Sequence, residues 1–318
     1  MGLNVFEIPD HGRNDLRRTF FEAAFKDNCI DFPRSVTIQV NKSITSEVKF
    51  MENLVKSGKM QESVGEMLRF WRQLNRKSQM DLALDVNISS RHLSFVETGK
   101  SKPSRNLVLK IAHSLKLPLR HRNAFLLAAG YAPAFEEEPF DGLKMEIVRD
   151  ALHRMLKKHE PYPAFVVNAG YKILMTNSGY DQMIKHYAGE NALKKYDNAI
   201  RILFAEDGLR PYVEDWPAIQ HFLLARLWEE LVATQNVDLI ALYKELVQLR
   251  PIDDPVEFKI DNNLPVMSLV LEKDSQKASF FTTITTLGTP LDLTTQELRI
   301  ELLFPSDEAT KQLFPLLR

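Results

Sequence analysis

Between residues 63 and 130, apolar positions recur every three or four residues, the spacing of one buried helix face. Met67, Leu68, Trp71 and Leu74 form one such row, and Leu82, Ala83 and Val86 a second. Leu93 and Val96 follow, then Leu107, Leu109, Ile111, Ala112 and Leu115, then the run Arg120–Ala129. Five short helices are predicted. Their punctuation agrees: Ser78 with Asp81 three residues on makes a capping box, Ser89 and Ser104 stand at two further starts, and Gly99, Pro118 and Gly130 stand at ends.

The texture changes after YAPAFEEEPFDG (131–142), a proline- and acid-rich stretch that reads as a linker. A helix over about 143–158 leads to two apolar runs, AFVV and YKILMTN, flanking Asn168-Ala169-Gly170, which predicts a β-hairpin. Helical spacing returns around 178–187, 216–234 and 236–249. Strand-like runs close the chain at 256–260, 266–272, 278–287 and 297–304, followed by a short helix with Ser306 as its cap. Helices inserted within an antiparallel sheet make this second part α+β.

The expected organisation is therefore an N-terminal extension (1–60), an all-α five-helix domain (61–132), a linker (133–143) and an α+β domain (144–318). The extension offers only an amphipathic turn or two at Leu16–Phe25, a strand-like VTIQV at 36–40 and a helix from Thr45 to about Lys56. It reads equally as a loose arm or as a helix packed on a partner.

Charge sharpens the division. The 318-residue chain has a net charge of −1. Yet Ser63–Ala132 holds 12 Lys and Arg against 4 Asp and Glu, a net +8, while the remainder holds 29 against 38, a net −9. One basic module on an acidic body is the footprint of a protein of which one part meets a polyanion. The single cysteine, Cys29, excludes an internal disulfide and fits a reducing compartment. The N-terminus lacks an apolar signal-like stretch, no apolar run reaches the roughly 20 residues that span a bilayer, and a cytoplasmic location with no membrane contact is expected.

Within the basic module, residues 78–104 (SQMDLALDVNISSRHLSFVETGKSKPS) form two short helices joined at Asn87, a residue that tolerates positive φ. Leu82, Ala83, Val86, Ile88, Leu93 and Val96 sort inward, leaving Ser89, Ser90, Arg91, Ser94 and Phe95 outward on the second of the pair. That is the layout of a helix-turn-helix whose second helix enters a major groove. Arg91 can donate twice to guanine, Ser90 and Ser94 can exchange hydrogen bonds with base edges, and Phe95 is either a packing residue or a contact for a thymine methyl. Gln79 can meet a phosphate, with Lys100, Lys102 and Arg105 on the backbone nearby.

These residues also carry a family resemblance. R-x-W-R (69–72), S-Q-x-D-L-A (78–83), S-x-R-H-L-S-F-V-E-x-G-K-S-x-P-S (89–104) and N-A-F-L-L-A-A-G-Y-A-P (123–133) resemble the xenobiotic-response-element type of helix-turn-helix, and more narrowly the MmyB-like transcription regulators. E-P-Y-P-A (160–164), Asn177, N-A-I-R-I-L-F (198–204) and the segment 288–310 agree with the same family. The resemblance spans about 63–318. It implies a lambda-repressor-like domain that binds double-stranded operator DNA through Gln79, Ser89, Ser90, Arg91 and Ser94, as a homodimer. It implies a PAS-like ligand-binding domain for a fatty-acid-like small molecule. Two residues depart from the pattern: Arg76 stands where a glycine is common in the first turn, and Lys77 where an apolar residue usually packs.

For the second domain, an enzyme reading finds no support. His153, His159, His186 and His221 lack metal-site spacing, and G-x-S-x-G, Walker A and G-x-G-x-x-G motifs are absent from the sequence. Neither catalytic residues, nor a metal, nor a cofactor are expected. A sensor instead needs an apolar cavity with a few polar anchors. Phe165, Val167, Ile173, Met175, Phe204, Phe222, Leu223, Leu227, Met267, Phe280 and Ile284 are candidate walls, each also an ordinary core residue. Tyr162, Phe165, Asn177, Arg201 and Trp216 are the candidate ligand contacts. Arg201 and Arg299 are either carboxylate anchors or structural ion pairs, with Glu297 or Glu301 open to Arg299. Asn177 is either a contact or the cap of the helix at Ser178. The competing reading is a constitutive regulator whose second domain only dimerises.

Overall fold

In the computed structural model, the residues described are 63–249 and 268–314, and they fall within one compact unit. The expectations at 16–25, 36–40, 45–56, Cys29, 256–260 and Met267 lie outside the described residues.

Five helices occur where the apolar spacing places them: α1 (Val64–Leu74), α2 (Gln79–Asp85), α3 (Ser90–Glu97), α4 (Arg105–Ser114) and α5 (Leu119–Ala128). Ser63, Ser78, Ser89 and Ser104 each accept a hydrogen bond from the backbone N–H three residues on, satisfying a donor that the first helical turn leaves open. Ser63 and Glu66 form a capping box as complete as that of Ser78 and Asp81. Leu68, Trp71, Leu82, Leu93, Val96, Val108, Ile111 and Phe125 are buried together as one core. Gly65 permits the close crossing of α1 over α3, since a Cβ there would lie 2.5 Å from the Glu97 carbonyl oxygen.

Both departures from the family pattern have a local account. Arg76 takes φ +52°, the left-handed conformation that a glycine enters without steric cost. Lys77 keeps its ammonium on the Asp85 carboxylate and 3.2 Å from the Ser114 hydroxyl, tying α2 to α4.

The linker is not loose. Asn123 of α5 binds it through Ala134, Phe135 and the Phe135 carbonyl. Glu138 N–H donates to Asp292, and Thr294 donates back to the Glu138 carbonyl. The chain then makes a 3-10 turn (Leu143–Met145) and α6 (Glu146–Lys158).

The second domain holds β1 (Ala164–Val167), β2 (Ile173–Thr176), α7 (Ser178–Tyr187), α8 (Glu190–Lys195), α9 (Ala199–Phe204), α10 (Trp216–Thr234) and α11 (Val237–Gln248). It continues with β3 (Ser268–Lys273), β4 (Gln276–Thr285), α12 (Leu293–Glu297), β5 (Arg299–Pro305) and α13 (Glu308–Leu313). The hairpin, the long helices and the three late strands that fall among the described residues match expectation. The short α8, α9 and α12 were not legible, and α13 is capped by Asp307 rather than Ser306.

Among the described residues all strand pairs are antiparallel, in the order β2-β1-β5-β4-β3, with α7–α11 inserted between β2 and β3. Both faces of β1 and β5 are packed. Alternation sends Ala164, Val166 and Ile300 toward Leu152 and Leu156 of α6, and Phe165, Val167 and Leu303 toward the inserted helices. Gly179 lets α7 start against the hairpin approach, because a Cβ there would sit 2.3 Å from the Pro161 carbonyl oxygen.

Candidate DNA-reading face and ligand cavity

The α2–α3 pair turns at Asn87, whose φ of +58° is the positive value expected there. Its geometry is locked by a residue that sequence reasoning overlooked. Glu97, 4% exposed at the end of α3, accepts from Arg72 Nε at 2.6 Å and Nη2 at 3.1 Å, and from Gln79 Nε2 at 2.7 Å. Arg69 lies 3.8 Å away. One buried carboxylate thus clamps α1, α2 and α3 together, and a hydrogen-bonded charge so placed is costly to leave unpaired. The signal was present as R-x-x-R on α1 with the glutamate of F-V-E-x-G.

The proposed DNA contacts divide accordingly. Ser90 and Arg91 are exposed on the first turn of α3 and Ser94 is half-buried one turn on. Ser89 caps the helix through His92 N–H at 3.1 Å. Gln79 spends its amide donor on Glu97, so a phosphate would meet its backbone rather than that N–H. Phe95 is part-exposed at 37%, with the Arg91 guanidinium 5.4 Å and the Lys100 ammonium 6.0 Å from its ring centre. It orders two cations beside the reading face, a role distinct from core packing. Lys102 sits 5.1 Å from the Tyr131 ring centre.

In the second domain, an apolar cavity of about 300 Å³ lies between the sheet and the inserted helices. Phe165 and Leu303 of the sheet and Met183, Ile202, Leu223 and Leu227 of the helices are among its walls. Tyr171, Tyr180, Arg226, Thr282 and Glu301 bring polar atoms to it.

Of the five candidate ligand contacts, only Phe165 reaches this cavity. Asn177 is a buried brace: its Oδ1 accepts from Ala164 and Tyr180 N–H, and its Nδ2 donates to the Leu156 and Tyr162 carbonyls. Arg201 turns outward to Glu245 at 2.8 Å, with Nε 3.0 Å from the same carboxylate. Trp216 packs edge-on against Phe204, and Tyr162 lies 6.4 Å, centre to centre, from Phe314. Arg299 resolves as a structural ion pair, but with Glu230 rather than Glu297 or Glu301. Among the candidate walls, Met175 packs on the α6 side of the sheet and Ile284 is 41% exposed. Tyr171, Tyr180, Arg226 and Glu301 were missed because their contacts span long stretches of chain.

Among the described residues, no cluster of three or more His, Cys, Asp and Glu could hold a metal ion, and no helix is long and apolar enough to cross a membrane.

A helix-turn-helix family model matches residues 68–121, and the model described as the MmyB-like transcription regulator ligand binding domain matches residues 148–257, in that order along the chain. The two matches together reproduce the order of a helix-turn-helix followed by an MmyB-like ligand-binding domain, the makeup that the sequence resembles. The MmyB-like makeup establishes a DNA-binding transcription regulator with a ligand-binding domain after its helix-turn-helix. No curated protein matches the chain. A solved structure described as an RNA-binding Light-Oxygen-Voltage Receptor aligns over 87% of this chain and 70% of its own, at 11% identity and a TM-score of 0.24. At that score the likeness carries no inference about fold or function.

Proposed function

We propose that this cytoplasmic regulator binds operator DNA as a homodimer through the first turns of α3, under the control of a fatty-acid-like molecule in the α+β domain. Ser90, Arg91 and Ser94 read base edges; Ser89, the Gln79 backbone, Lys100 and Lys102 hold the phosphates. A dimer sets two such faces on neighbouring half-sites, and their linkage raises affinity without new contacts. The ligand acts by favouring one arrangement of the two domains over another.

The observation that carries the ligand reading is the pairing of an apolar cavity with buried polar atoms left open. Tyr180 Oη and Glu301 Oε1 have no hydrogen-bond partner among the described residues, and both residues line the cavity. Buried polar atoms are nearly always paired, so such atoms at the wall of an apolar cavity support a bound molecule as the partner that the described residues do not supply.

The test is selection of bound DNA from a random pool with purified full-length protein, with and without lipid extracted from the same preparation. A defined operator whose affinity shifts at least several-fold with lipid supports the proposal. A defined operator with lipid-independent affinity, and nothing bound in native mass spectrometry, favours the constitutive alternative. No sequence preference at all sinks the assignment of α3.

A further inference from the structure

Two short-range patterns bring charge to the cavity wall, with Arg226 and Glu301 lining it and Glu230 and Arg299 behind them. Arg226 and Glu230 lie four residues apart on α10 and so share a helix face, while Arg299 and Glu301 lie two apart on β5 and so share a sheet face. Tyr171 stands between them. Its hydroxyl donates to Glu230 Oε2 at 2.9 Å and accepts from Arg226 Nη2 at 3.3 Å. Arg299 pairs with Glu230 and lies 5.5 Å from the Tyr171 ring centre. From α7, Asp181 is turned to Thr176 Oγ1 at 2.9 Å, and Tyr180 presents its open hydroxyl.

Glu301 is the odd member. Its side chain is 10% exposed, and its Oε1 stands 3.9 Å from Arg226 Nη2, beyond hydrogen-bond reach. The quartet of two guanidinium groups and two carboxylates is already balanced in charge.

We infer that Glu301 selects the head group of the ligand: the cavity takes a single-chain amphiphile with an uncharged, hydrogen-bonding head, and takes a carboxylate only together with one proton. The inference rests on the reading that the cavity holds an apolar ligand. A hydroxyl or amide head can donate to Glu301 Oε1 and accept from Tyr180 or Arg226, leaving the quartet neutral. A carboxylate head has no proton to offer Glu301 and adds a fifth charge beside a buried carboxylate in a balanced group, which is unfavourable. A proton on Glu301 removes both faults, since the acid then donates to the ligand and frees Arg226 to face it. Burial raises the Glu301 carboxyl above its ordinary range and Glu230 adds to this, with Arg226 and Arg299 opposing.

The experiment compares decanoic acid with 1-decanol on the full chain by titration calorimetry across pH 6 to 9, both below their aggregation concentrations. The alcohol should bind with pH-independent affinity. The acid should weaken as pH rises, approaching about tenfold per pH unit for one linked proton, with a binding enthalpy that varies with the ionisation enthalpy of the buffer. Glu301→Gln should abolish that slope, because no proton is then linked to binding of the acid. A constant ratio of the two affinities in the natural protein, without buffer dependence, overturns the head-group rule alone, and does so whether or not the variant folds. Failure of both compounds to bind overturns the ligand reading and this inference with it.

Discussion

Arg120, on the last helix of the DNA-binding domain, holds Glu297 of the ligand-binding domain through hydrogen bonds of 2.7 and 3.0 Å. Its neighbours do the same. Leu119 N–H donates to Gln296 Oε1 at 2.7 Å, and His121 Nε2 lies 2.5 Å from the Thr234 carbonyl oxygen. Gln296 and Glu297 lead directly into β5, and Thr234 ends α10. These are the two elements that carry the Arg226, Glu230, Arg299 and Glu301 quartet. Both domains are therefore tied to the same strand and helix.

If that tie transmits occupancy, cutting it should separate sensing from binding. Arg120 and Glu297 are partly exposed, so a double-mutant cycle with alanine at each position should return a coupling of only about 0.5–1 kcal/mol in denaturant melts. The functional effect should be larger. Glu297→Ala should keep operator affinity and ligand affinity but lose most of the ligand-induced change in operator affinity, as read by fluorescence anisotropy. An undiminished ligand response would remove this contact from the relay.

His121 makes the same interface sensitive to acid. Burial lowers its pKa below the ordinary 6.5, while the hydrogen bond to the Thr234 carbonyl opposes that shift. The unfolded or undocked imidazole binds a proton more readily than the docked one, so stability rises with pH across this window. The contribution is present above about pH 6.5 and is lost progressively as pH falls below it. Melting temperature should drop between pH 7 and 5.5, and His121→Phe should flatten that drop. An equal slope in the variant would place the acid sensitivity elsewhere.

Glu97 should be the most damaging single loss in the first domain. Its side chain is fully buried and the Arg72 side chain is 12% exposed, so Glu97→Ala leaves a guanidinium without its partner. A destabilisation of about 3 kcal/mol is expected by urea denaturation. Loss of operator binding should track loss of fold rather than precede it.

Arg91 and Lys102 should fail differently. Arg91→Ala should relax base preference at one operator position and cost about 1–3 kcal/mol for the preferred sequence. Lys102→Ala should weaken all sequences alike and flatten the salt slope by about one unit, with its lost Tyr131 contact adding little. Unchanged preference and affinity in Arg91→Ala would remove that side chain from the groove.

What the sequence by itself determined is local. Helix starts at Ser78, Ser89 and Ser104 follow from hydroxyls three residues ahead of a backbone donor, and the turn at Asn87 follows from a tolerated positive φ. The hairpin around Asn168-Ala169-Gly170 and the inward rows of the five helices follow from periods of two and of 3.6. The tertiary structure decided where polar side chains spend their hydrogen bonds. Gln79 was legible as a candidate phosphate contact, but not that Glu97, 18 residues away, takes its side-chain amide and leaves the backbone N–H for that role. Arg201 and Asn177 each carried two readings, and only folding shows Arg201 paired with Glu245 and Asn177 capping α7 while bracing nearby backbone. The quartet formed by Arg226-x-x-x-Glu230 and Arg299-x-Glu301 shows only as two ordinary patterns in one dimension. Folding brings them together because β5 pairs with β1 and α10 packs across that face, and long-range pairing of this kind leaves no periodic trace along the chain.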